Sequence, residues 1–122
     1  MTTKAQEVRK KWQQHNDQFI TQQAQKIFDW ILDLMDENLN KNYLGEITLS
    51  LKADGYAIRP LSNEPSFSLL IFLSQYGTNA IRMRIPLFQQ LKKIVEQEEG
   101  FEVSLDTSKS GEEIVITISI VH

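Results

Sequence analysis

The stretch Glu112–His122 limits the possible folds more than any other. Ile114, Ile116, Ile118 and Ile120 alternate in it with Val115, Thr117, Ser119 and Val121. Strand side chains point to opposite faces with period two, so this pattern puts a row of β-branched hydrophobes on one face of a sheet. The other face is small and mixed, as suits a sheet covered on one side only. Helices elsewhere in the chain must supply that cover.

The largest candidate is the N-terminal third. From Thr3 to about Asn42 the apolar positions recur at helical spacing. Ile20, Ala24, Ile27, Ile31 and Leu34 form one row, and Phe28, Leu32, Met35 and Leu39 form a second beside it. A stripe this wide packs on a sheet rather than in a narrow coiled-coil seam. Val8, Trp12 and Phe19 lie toward one edge of it. The polar stretch Gln13–Gln18 invites a kink or break, with Asn16 or Asp17 available to cap a restarted helix. An unbroken helix of this span would be ~57 Å long, whereas a compact chain of 122 residues is roughly 35 Å across. Residues 1–15 therefore either fold back or project as a helical arm.

Downstream, Ile47, Leu49 and Leu51 alternate with Thr48, Ser50 and Lys52, and Asp54-Gly55 follows as a hairpin turn. A turn centred on that dipeptide sets Leu51 opposite Ile58 and Ala53 opposite Tyr56. The segment Phe67–Ser74 reads as a fully buried strand, with a short helix between Pro65 and Gly77 as the alternative. Ala80–Ile85 alternates Ile81, Met83 and Ile85 with Arg82 and Arg84, so it too reads as a strand. Pro86 then opens a second helix bearing Leu87, Phe88, Leu91, Ile94 and Val95, which Gly100 closes with a left-handed cap. Phe101–Asp106 is a strand, and a polar turn leads into Glu112–His122. The expected fold is a single α+β domain over residues 1–122, in the order α-β-β-β-β-α-β-β. An antiparallel sheet of about six strands carries both helices on one face.

Chemistry is sparsely provided. With no cysteine there is no thiolate nucleophile, disulfide or Cys-based metal site. His15 and His122 are the only histidines and share no constellation with a nucleophile or acid. Asp29, Asp33, Asp36 and Glu37 cluster on the long helix, opposite its apolar stripe, where a helix needs solvated charge. No glycine-rich phosphate loop occurs. No catalytic residue, metal or cofactor is therefore expected. The longest apolar run, Leu69–Leu73, is far short of the ~20 residues of a membrane helix, and the N-terminus lacks the apolar core of a signal peptide. A cytoplasmic protein is expected.

Binding is better provided for. The net charge of −3 is unevenly distributed. Lys4, Arg9, Lys10 and Lys11 face only Glu7 in the first eleven residues, and seven acidic residues face only Lys109 across 96–113. Trp12, Phe19 and Trp30 along one edge of the helix are candidate contacts with a protein partner, including a second copy of the chain. Arg59, Arg82 and Arg84, with Lys52, are expected on the open sheet face. There they would meet an acidic protein surface or, in the alternative reading, a nucleic-acid backbone. No aromatic is expected to join them for base stacking. The leading expectation is a non-catalytic, self-associating interaction protein of adaptor, chaperone or inhibitor type, ahead of a nucleic-acid-binding accessory protein.

Overall fold

A computed structural model describes residues 3–37, 45–54, 57–61 and 64–121. Seven elements follow one another: α1 (Lys4–Glu37), β1 (Glu46–Asp54), β2 (Ala57–Pro60), α2 (Glu64–Ser74), α3 (Asn79–Glu96), β3 (Phe101–Thr107) and β4 (Glu113–Ile120). The fold is α+β with one antiparallel sheet, ordered β2-β1-β4-β3. The sheet has four strands where about six were expected, and the order is α-β-β-α-α-β-β.

The isoleucine row is where the fold closes. Ile114, Ile116 and Ile118 are fully buried, and they face Leu51, Leu49 and Ile47 of β1 on one side. On the other side they face Thr107, Leu105 and Val103 of β3. Ile120, at the end of the row, is partly exposed. Over this face lie Leu69 and Leu73 of α2, Leu87, Phe88, Leu91 and Val95 of α3, and Ala24, Ile27, Phe28, Ile31 and Met35 of α1.

Both missing strands are helices. In α2 the buried positions are Ser66, Leu69 and Leu73, the three- and four-residue steps of a helix. Phe67 and Ile71 are apolar but exposed, so the segment is apolar on every side and its period is hidden. Residues 79–85 open α3. Its buried row runs Ala80, Arg84, Leu87, Phe88, Leu91, Val95, and an arginine at a core position disguises the helical step as an alternation. Pro86 sits inside this helix rather than at its start. Gly100 does adopt a left-handed φ of 92°, in the turn entering β3 and beyond Gln97, the residue that ends α3.

The hairpin between β1 and β2 is displaced from its expected register by two residues along β2. Leu51 pairs with Pro60 and Ala53 with Ile58. A shift of two keeps the same faces together, so Ala53 and Ile58 still face inward. Gly55 and Tyr56, like residues 38–44 and His122, lie outside the described residues. Where β2 stops, α2 takes over its edge: the Ser50 amide donates to Ser66 Oγ at 2.9 Å, with Ser66 fully buried.

Candidate functional site

Helix α1 runs without a break through Gln13–Gln18. Its 34 residues reach about 51 Å. The N-terminus is closed by a reciprocal capping box, in which the Gln6 amide donates to Thr3 Oγ1 at 3.2 Å and the Thr3 amide to Gln6 Oε1 at 2.9 Å. Within the expected break, Thr21 Oγ1 donates back to the Asp17 carbonyl at 2.9 Å and no helix restarts. Residues 3–18 are all exposed, and burial begins only at Phe19.

The flank of α1 that carries Trp12, Phe19 and Trp30 meets α2, the α2–α3 turn and the start of α3. Trp12 stacks edge-on against His15, with ring centres 6.2 Å apart. Phe19 does the same against Tyr76 at 5.5 Å, and Tyr76 against Phe72 at 6.1 Å. The Tyr76 hydroxyl donates to Oε1 of the buried Gln23 at 3.0 Å, and burial raises its pKa above the ordinary 10.0. Two grooves result. One, of about 510 Å³, is lined by Trp12, His15, Phe19, Tyr76, Arg82 and Met83 among others. The second, of about 290 Å³, lies between α1 and α2 and is lined by Lys26, Ile27, Trp30, Ser68, Leu69 and Phe72. Trp12 and Phe19 thus share a groove, while Trp30 belongs to the next one along the same flank.

The basic cluster comes apart. Arg82 and Arg84 lie on α3, not on the sheet. Arg84 is buried, its guanidinium donating to the carbonyls of Ile81 and, at 2.7 Å, Gly111, so it ties α3 to the β3–β4 turn. Arg82 is exposed at the rim of the larger groove. Only Lys52 and Arg59 remain on the open sheet face. Arg59 Nε lies 2.6 Å from Asp54 Oδ2, and Lys52 Nζ lies 4.0 Å from both Asp54 and Glu113. The strand registers add Glu46, Glu102 and Asp106 to that same face, so it is acidic rather than basic.

Sequence reasoning missed α2 as a surface. Outside Glu64 it carries no charge, yet Phe67 is 56% and Ile71 59% exposed, comparable with Val8 at 52% and Trp12 at 63% on α1. A segment apolar on every side while sitting at the edge of a small domain is the signal that would have found it. The acidic residues Asp29, Asp33, Asp36 and Glu37 are exposed, and among the described residues no group of three or more His, Asp or Glu side chains is arranged to hold a metal ion. No helix among them is long and apolar enough to cross a membrane. No family model, curated protein or solved structure matches the chain.

Proposed function

We propose that the chain is a non-catalytic protein-interaction module that binds through the flank formed by the first half of α1 and the outer face of α2. One observation carries this reading. Val8, Trp12, Phe67 and Ile71 are large, apolar and more than half exposed, on two neighbouring helices whose opposite faces already complete the core. Scattered exposed hydrophobes are ordinary on a folded surface, but aromatic side chains gathered beside apolar grooves mark contact surfaces. The adaptor, chaperone and inhibitor classes share this requirement.

The test is affinity capture of the tagged protein from its native cells, with and without nuclease, beside the variants Trp12→Ala and Phe67→Ser/Ile71→Ser. A polypeptide recovered in stoichiometric amount, resistant to nuclease and lost from the variants supports the reading. Capture that is nuclease-sensitive, or equal for wild type and both variants, overturns it.

A further inference from the structure

The exposed side of α1 carries a charge gradient along one line. Lys4, Glu7, Lys11, Gln18, Gln22, Gln25, Asp29, Asp33 and Asp36 succeed one another at steps of seven, four or three residues, so they share one helix face, and every one of them is exposed. The line is net basic at its start, where Lys4 and Lys11 flank Glu7, neutral across three glutamines and acidic at its end. Gln25 Nε2 donates to Asp29 Oδ1 at 3.1 Å, which continues the line from its neutral to its acidic part. Lys26, of opposite sign to the acidic end, falls to one side of the line. The buried row of α1 (Ala24, Ile27, Ile31, Met35) faces the other way, toward the sheet.

A face graded in this way complements itself when turned end for end. Resting on the interaction reading above, we infer that the occupant of this surface is a second copy of the chain, with the two α1 helices antiparallel about a two-fold axis near Ile20. From such an axis, facing positions recede in opposite directions. Lys11 comes opposite Asp29 of the second copy, Lys4 opposite Asp36, and Gln18 opposite Gln22. Glu7, opposite Asp33, is the one like-charge contact on the line and is outnumbered by the two opposite-charge pairs. The two-fold symmetry makes each contact twice. The two domains lie on the outer sides, because each core is on the far side of its own α1.

The apolar flank then falls into place. Trp12 and Trp30 are five helical turns apart, so they occupy the same angular position on α1. The two-fold axis brings the flanks of both helices to the same side of the pair. Trp12 of one copy comes level with Phe28 of the other. That is the level of the 290 Å³ groove between α1 and α2, with Lys26, Trp30 and Phe72 in its wall. Exposed charge pairs contribute little affinity but set orientation, and a tryptophan entering an apolar groove supplies the affinity. An antiparallel pair satisfies both. A parallel pair would set Asp29, Asp33 and Asp36 against themselves.

Because the chain has no cysteine, the register is tested by crosslinking. In the double variant Lys11→Cys/Asp29→Cys the two thiols of one chain are about 27 Å apart on one helix and cannot reach each other. Mild oxidation is expected to give a covalent dimer from this variant and none from either single variant. Light scattering of the wild-type protein at micromolar concentration is expected to give the mass of two chains. That mass falls to one chain for Lys4→Glu/Lys11→Glu and for Asp29→Lys/Asp36→Lys, and returns to two when all four changes are combined. Trp12→Ala is expected to weaken the dimer by about tenfold or more. A single-chain mass for the wild type, crosslinking by Lys11→Cys alone, or failure of the combined charge swap to restore the dimer each overturns the proposal. A monomer that still captures a different polypeptide removes only the second copy as occupant. A monomer that captures nothing removes the interaction reading as well.

Discussion

The two halves of α1 belong to one unbroken helix and are held by different physics. From Phe19 onward the helix is fixed by burial: Ala24, Ile27, Phe28, Ile31 and Met35 sit in the core, and removing them from water supplies most of the stabilisation. From Lys4 to Gln18 nothing is buried. That half keeps its shape through its capping box, through hydrogen bonds along the helix and through growth from a nucleus already formed downstream. A segment ordered without burial is available for contact: stability rests on the second half of α1, and the binding proposed above draws on the exposed first half.

Substitutions should separate the halves. Ile31→Ala, at a fully buried site, is expected to cost about 2–5 kcal/mol, read as a lower denaturant midpoint for the whole domain. Arg84→Ala leaves the partly buried carbonyl of Gly111 without its donor and is expected to cost about 1–3 kcal/mol. Its effect should show also as faster hydrogen exchange in the β3–β4 turn. Thr3→Ala removes the cap and is expected to weaken the first turns of α1 by about 1 kcal/mol, with exchange accelerated at residues 4–8 and the global midpoint unchanged. Trp12→Ala, measured on the dissociated chain, is expected to move stability by less than about 0.5 kcal/mol. Equal losses for Ile31→Ala and Trp12→Ala would erase the distinction between the halves.

The smallest effect belongs to the joint between them, where Tyr76 meets Phe19 and Gln23. Its hydroxyl is held protonated by burial, so the folded state binds that proton more tightly than the unfolded state. The associated stability is complete below pH 10 and is lost as the pH rises through the raised folded pKa. Tyr76→Phe is expected to flatten this alkaline decline in a pH series of unfolding midpoints.

Where pattern and burial agree, the sequence announces the structure. The alternation at Ile114–Ile118 and Ile47–Leu51, and the stripe from Ile20 to Met35, are each apolar on one face only, and each forms the element its period implies. The two failures share a cause. In Phe67–Ser74 exposed Phe67 and Ile71 fill the side that is ordinarily polar, and in Ala80–Ile85 a buried Arg84 occupies a position that is ordinarily apolar. All three residues break the contrast between faces that a period measures. The candidate surface was legible in part for the same reason. Trp12 and Phe19 stand out on the edge of an otherwise regular stripe, whereas the outer face of α2 emerges only once that segment is known to be a helix. The grouping of Arg82 and Arg84 with Lys52 and Arg59 depended on a strand that does not exist.

The strand order carries a consequence for the folding reaction. β4 is an inner strand, yet its partner β1 lies far ahead of it in the chain, with Leu51 paired to Ile114. β1 can pair locally only with the four-residue β2, and must wait for two helices and a hairpin to form before its other edge is satisfied. Closing so long a loop is slow. Until it closes, the segment Glu113–Ile120 presents a strand edge rich in isoleucine, the kind that templates aggregation. Aggregation during refolding should therefore be governed by how quickly β1 finds β4, and changes in β1 should raise the yield of aggregate before they lower the stability of the finished domain.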